Sequence, residues 1–135
     1  MTEMNALVLP ELNDLNRFFW TGGADGKLRF QRCGDCGHWL HPPGVSCPEC
    51  LSRNLSVETV SGNGTIEALT VNYQQWGAEK TEPYAVAIVG LDEQPGLNLT
   101  TNIVGCDVDS VYIGQRVKVT FRAQEDVFLP LFTPI

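Results

Sequence analysis

The sequence predicts a mainly β protein made of an N-terminal helix, a rubredoxin-like zinc ribbon and a C-terminal OB-type β-barrel. Three observations carry this prediction. Cys33, Cys36, Cys47 and Cys50 form two Cys-x-x-Cys pairs separated by ten residues. The chain after Asn54 holds five or six short strand patterns and no long helical period. The 13 Gly and 8 Pro among 135 residues supply the turns that so many short strands need. The expected division is an N-terminal arm and helix over 1–22, the ribbon over 23–54 and the barrel over 55–135.

The helix is predicted from Pro10 to Trp20, where Leu12, Leu15 and Phe19 recur at helical spacing and Gly22-Gly23 ends the element. Residues 1–9 carry no pattern. Phe18, Phe19 and Trp20 are consecutive, so steps of about 100° spread them around the helix and no single packing surface takes all three. They are therefore candidates both for pinning the helix between ribbon and barrel and for a partner-facing aromatic patch.

Lys27 to Gln31 reads as a short strand entering the first knuckle, and Pro42-Pro43-Gly44 turns the chain back after Trp39 and Leu40. Each Cys-x-x-Cys wraps one tight turn, and two such turns present four thiolates at the corners of a tetrahedron, which zinc accepts readily. Iron also accepts four thiolates, so spacing alone leaves a rubredoxin-like electron carrier open. Four protein ligands close the coordination sphere, which removes catalysis by metal-bound water. His38 and His41 flank the knuckles and read as surface residues or supports behind the thiolates. Cys106, the fifth cysteine, reads as an inert free thiol.

Leu55 to Val60 opens the strand region and Ser61-Gly62-Asn63-Gly64 follows as a turn, despite its look of a phosphate loop. In Thr65–Tyr73 the apolar alternation slips between Ile66 and Leu69, as a bulge makes it do. Tyr84–Leu91 is apolar on both faces, Leu97–Val104 alternates less cleanly, and Val117, Val119 and Phe121 alternate with Lys118, Thr120 and Arg122. Phe128–Phe132 closes the sheet, with Pro130 marking an edge. These strands fit a small closed barrel first and a small sandwich second. The acid pairs Asp92-Glu93 and Glu125-Asp126 read as solvated turns.

Nine Lys and Arg against 16 Asp and Glu give a net charge of −7, which argues against nucleic acid or an anionic membrane as main partner. The charge is uneven: Arg17 to Arg53 holds five basic and three acidic residues, Asn54 to Ile135 four basic and ten acidic. From Thr81 to Gln115 there is no Lys or Arg, which counts against the basic groove that a nucleic-acid-binding OB-fold needs. The N-terminus reads as no signal peptide, and thiolate ligands suit a reducing compartment, so a cytoplasmic placement is expected.

Several stretches resemble one family. These are Phe19-Trp20 followed by Gly26-Lys27-Leu28, the two knuckles with Pro42-Pro43 between them, Ser61-Gly62-Asn63-Gly64-Thr65 and Pro83-Tyr84-Ala85-Val86. Ile113-Gly114-Gln115-Arg116-Val117 and Leu129-Pro130 complete the set. In order and spacing they are similar to the zinc-ribbon plus OB-fold proteins catalogued as domain of unknown function 35, over about residues 12–134. The resemblance implies a small subunit of a thiolase-type enzyme: a thiolase, a hydroxymethylglutaryl-CoA synthase assembly or an aldolase of the lipid-transfer-protein type. It further implies that the large, thiolase-fold subunit carries the catalytic residues and this chain none. One zinc per chain, an acyl-CoA shared between subunits and a two-plus-two heterotetramer follow as expectations. Phe18, Phe19 and Trp20 are then interface candidates, and Lys27, Arg29, Arg32 and Arg53 the cations available to CoA phosphates. Gly44 and Leu51 depart from the family pattern, which often has Arg after the prolines and Gly after the last cysteine. The first departure removes a phosphate anchor, and the second predicts a slightly different second knuckle.

Overall fold

A computed structural model describes residues 9–73 and 82–135, so the N-terminal arm over 1–8 lies outside the described residues. The helix α1 spans only Arg17–Thr21 and runs into a 3-10 turn, Gly22–Asp25. The longer helix expected from Pro10 does not form because two asparagines offer the backbone other partners. Asn13 Oδ1 accepts from the N–H groups of Leu15 and Asn16, and Asn16 Oδ1 accepts from that of Asn13, each at 2.9 Å.

Eight strands follow among the described residues. β1 (Arg29–Cys33), β2 (Trp39–Leu40) and β3 (Leu55–Thr59) make a small antiparallel sheet in the order β2-β1-β3. β4 (Asn63–Asn72), β5 (Tyr84–Leu91), β6 (Asn98–Ile103), β7 (Arg116–Gln124) and β8 (Val127–Pro134) close a barrel in the order β4-β5-β6-β8-β7. The fold is thus mainly β, with a ribbon followed by a five-stranded OB-like barrel. β3, counted with the barrel on sequence grounds, pairs with β1 from Arg29↔Thr59 to Cys33↔Leu55 and belongs to the ribbon sheet. Its outward residues Ser56 to Thr59 are exposed, so they carry no apolar pattern that names a sheet.

The bulge falls where the alternation slips: the β4–β5 register shifts between Ile66 and Ala68. Glu67, the extra residue, lays its side chain across Gly90, where a Cβ would come within 1.9 Å of Glu67 Oε2. β8 is not an edge strand, contrary to the reading of Pro130. It lies between β6 and β7 but meets β6 only at Ile103↔Phe132, and the Thr101 hydroxyl donates to the Pro130 carbonyl (2.9 Å) beyond that pair.

One apolar core runs through both parts. Phe19, Leu28, Phe30, Trp39 and Val60 pack with Ile66, Val89, Val117 and Phe132 of the barrel. A side chain also ties the parts together. Gln94 Oε1 accepts from the Trp39 N–H (2.9 Å) while Gln94 Nε2 donates to the Trp39 carbonyl (3.0 Å), so its amide pairs with β2 as a neighbouring strand would. Among the described residues no helix is long and apolar enough to cross a membrane.

Candidate metal centre and the adjoining groove

The two knuckles repeat one backbone design. The Gly37 N–H donates to the Cys33 carbonyl (3.0 Å) and the Leu51 N–H to the Cys47 carbonyl (2.9 Å). The Cys33 N–H donates to His38 and the Cys47 N–H to Ser52, both at 2.8 Å. Gly37 and Leu51 both take the left-handed backbone, at φ 79° and 65°. The second knuckle therefore keeps the geometry of the first, against the expectation of a different shape. Leu51 reaches it at the steric cost that a Cβ brings to that conformation.

Cys33 Sγ lies 3.6 Å from Cys50 Sγ, Cys36 Sγ lies 3.6 Å from Cys47 Sγ, and all four sulfurs fall within 4.8 Å of one another. A tetrahedron with metal–sulfur bonds of about 2.3 Å has edges of about 3.8 Å, so the set fits one such ion. The cysteines are free thiols rather than disulfides. Asp35 clasps the knuckles from outside: its carboxylate accepts from the Ser52 hydroxyl (2.5 Å) and from Asn54 Nδ2 (3.1 Å).

Electrostatically the cluster is divided. The Cys36 N–H, 3.5 Å from Cys33 Sγ, leads the causes that bring the Cys33 thiol down to about 6. At Cys50 the Ser52 N–H also favours thiolate, yet desolvation and the three neighbouring sulfurs outweigh it and hold this thiol up at about 12. Four negative sulfurs at this spacing repel, and a bound dication removes that repulsion.

The histidines part company. His38 contributes its carbonyl to the first knuckle, and neither imidazole belongs to the sulfur cluster. His41 packs its ring 4.9 Å from both Phe19 and Phe30, and burial there pushes its pKa down to about 4, so the imidazole is neutral near pH 7. It is half-buried, packed on core aromatics and outside the sulfur cluster. With Trp20, Pro42 and Pro43 it walls a groove of about 490 Å³ against Asn98, Leu99 and Thr100 of β6. Sequence reasoning missed this groove; His41 followed by Pro42-Pro43 is the local sign of it that the sequence carries.

The aromatic trio also divides. Phe19 is buried beneath the chain's own ribbon, whereas Phe18 and Trp20 are half-buried. The four candidate cations do not meet at one place. Arg29 is held by both carboxylate oxygens of Asp25 (2.5 and 3.1 Å) and by the Gly22 carbonyl. Arg32 donates to Gly37, pairs with Glu58 at 3.5 Å and stacks 4.7 Å over Trp39. Lys27 and Arg53 are exposed and form no ion pair among the described residues. They flank opposite ends of the β1–β3 ladder, which at about 3.3 Å per residue separates them by roughly 20 Å.

Elsewhere, Cys106 is half-buried against the core. Of the turn acids, Asp92 grips Arg116 at 2.6 and 2.7 Å and Glu93 accepts from the Ser61 N–H at 2.8 Å, whereas Glu125 and Asp126 are exposed.

Comparison with known proteins follows this architecture. Residues 20–56 match the family description "ChsH2, rubredoxin-like zinc ribbon domain", and residues 57–122 match "ChsH2, C-terminal OB-fold domain". A probable enoyl-CoA hydratase alpha subunit of Thermomonospora curvata is 33% identical over 93% of this chain and 39% of its own length. A DUF35 domain-containing scaffold protein of Methanothermobacter thermautotrophicus is 39% identical over 71% of this chain and 72% of its own. The 3-oxo-4,17-pregnadiene-20-carboxyl-CoA hydratase alpha subunit of Mycobacterium tuberculosis is 30% identical, and the chain spans 37% of its length. The chain thus spans under half of the two hydratase subunits. Among solved structures, a chain of the Ltp2-ChsH2(DUF35) aldolase superposes with a TM-score of 0.82 at 33% identity, covering 93% of this chain and 98% of that one. A DUF35 protein of Sulfolobus solfataricus shares the fold, at TM-score 0.66 and 17% identity over 90% of this chain and 86% of its own. A ribbon of two like knuckles continuous with an OB-like barrel, matched along both parts, makes this chain a member of the DUF35 family of zinc-ribbon plus OB-fold proteins.

Proposed function

We propose that this chain is a non-catalytic, acyl-CoA-associated subunit of a thiolase-superfamily enzyme that forms or cleaves a C–C bond. In this reading it stabilises the thiolase-fold catalytic subunit and helps to seat the acyl-CoA. The observation that carries the reading is the likeness, over nearly the whole of both chains, to a chain of the Ltp2-ChsH2(DUF35) aldolase. The acyl-CoA wording in the hydratase relatives' names supports it.

One zinc per chain would be held by Cys33, Cys36, Cys47 and Cys50. With four protein sulfurs around it, such an ion supplies cross-linking and charge neutralisation rather than a reacting water. The assembly is a two-plus-two heterotetramer with this subunit outside a catalytic dimer. Of the four candidate cations, Lys27 and Arg53 stay open to CoA phosphates, since Arg29 and Arg32 are engaged by Asp25 and Glu58.

Co-purification of the tagged chain from its source cells tests the reading. A thiolase-fold subunit, identified by mass spectrometry, should co-elute in equimolar amount, with acyl-CoA turnover in the complex and none in the isolated chain. Retention of no such subunit refutes it.

A further inference from the structure

The first half of β6 has a free side. β6 pairs with β5 along its length but with β8 only at Ile103↔Phe132. Among the described residues, Asn98, Leu99 and Thr100 make no hydrogen bond outside the β5 ladder. The groove walled by Trp20, His41, Pro42 and Pro43 runs beside this open edge. An unpaired edge next to an apolar trough is the arrangement by which sheets accept an added strand.

Charge narrows the occupant. None of the groove-lining residues is acidic or basic, and its one titratable side chain, His41, is held neutral by burial. On the outward face alongside, Val86 and Ile88 of β5 stand opposite Asn102 and Thr100 of β6, whereas Gly90, opposite Asn98, lies under the Glu67 side chain, so the uncharged surface is the groove with the Thr100–Asn102 stretch. On a chain of net charge −7 this is a surface where a neutral partner meets no like-charge repulsion and strips no ion of water. CoA phosphates find no cation there. Among the described residues, the outer edge of β3, one edge that a second copy could offer, carries Glu58 and so matches the groove poorly.

We propose that an extended, uncharged segment of the catalytic subunit adds to the open edge of β6 and seats one large apolar side chain among Trp20, His41 and Pro43. The proposal rests on the subunit reading above and locates its interface. Trp20 is the expected anchor, since aromatic residues in a half-enclosed pocket carry a large share of interface energy.

The test uses the catalytic subunit recovered with the wild-type chain. Trp20→Glu and Thr100→Lys should each raise Kd at least tenfold, while Lys118→Glu on β7 should change it less than twofold. Thermal melting and metal content of the free variants establish that they fold, and Pro43→Glu serves if either does not. On binding, the amides of Asn98 and Thr100, which alternate to the open side while Leu99 faces β5, should exchange at least tenfold more slowly. Unchanged affinity in the folded variants, or protection confined to other strands, overturns the proposal while leaving the subunit reading intact. Protection of these amides in the isolated chain, by self-association or by acyl-CoA alone, overturns it as well. If the wild-type chain retains no thiolase-fold subunit, the underlying reading has failed and the proposal fails with it.

Discussion

His41 should make this protein lose stability in mild acid, by an amount that its packing sets. Burial between Phe19 and Phe30 brings its pKa down from 6.5 to about 4. The unfolded chain therefore takes up the proton first as pH falls. The contribution is fully present above the unfolded pKa of 6.5 and drains away as pH falls toward the folded pKa of about 4. At about 1.4 kcal/mol per pH unit, the whole span is worth about 3 kcal/mol, and between about pH 7.5 and about pH 5.5 the loss is about 1.3 kcal/mol. Urea unfolding at those two pH values, in saturating metal, measures it. His41→Gln and His41→Phe should both shrink the pH-dependent part by about 1.3 kcal/mol, whatever they do to stability at neutral pH. The thiolates titrate alike in all three proteins and cancel in the comparison. An imidazole NMR titration with a midpoint near 6.5, or the same pH dependence in the variants, refutes the reasoning.

Cys47→Ser should lower bound zinc well below one equivalent and speed amide exchange in β1, β2 and β3 before β5, because structural zinc contributes on the order of 10 kcal/mol in small isolated modules; full metal content with unchanged exchange contradicts this. Leu51→Gly should stabilise by about 0.5 kcal/mol in denaturant unfolding, the relief of roughly 1 kcal/mol of left-handed strain being partly offset by the greater freedom of glycine in the unfolded chain. Leu51 is 77% exposed, so little packing is lost, and a clear destabilisation would refute the strain argument. Gly23→Ala should destabilise by about 1–3 kcal/mol in thermal unfolding, as overpacked sites do. The new Cβ would sit 2.4 Å from Phe121 Cδ1 and 2.7 Å from Phe128 Cβ; a neutral result would mean that the 3-10 turn sits more loosely on the barrel.

What could be read from the sequence was whatever rested on local spacing. The Cys-x-x-Cys pairs fix two knuckles because each is closed by hydrogen bonds spanning four residues. The slip between Ile66 and Leu69 located the bulge because strand alternation is a local period. Choices between distant partners were hidden. β3 is exposed on most of its length, so nothing in Ser56-Val57-Glu58-Thr59 selects β1 over the barrel. The helix was overdrawn because Leu12 and Leu15 keep the helical period while Asn13 and Asn16, in side-chain bonds the period does not register, break it. His41 looked like its neighbour His38; only the arrival of Phe19 from the preceding helix separates a buried ring from a knuckle residue.

Gln94 changes what the boundary between the two matched regions means. A side chain 55 positions away from Trp39 stands in for a missing strand, donating and accepting at once. Only a primary amide of this length does both: Asn is one methylene short, and Glu would set a carboxylate oxygen against the Trp39 carbonyl. Two-residue β2 has too few bonds of its own to hold an angle, so this splint, with the shared core around Phe30, makes ribbon and barrel one lever rather than two beads on a string. A partner that grips the knuckles therefore also bears on the β4–β8 barrel through these bonds and the shared core.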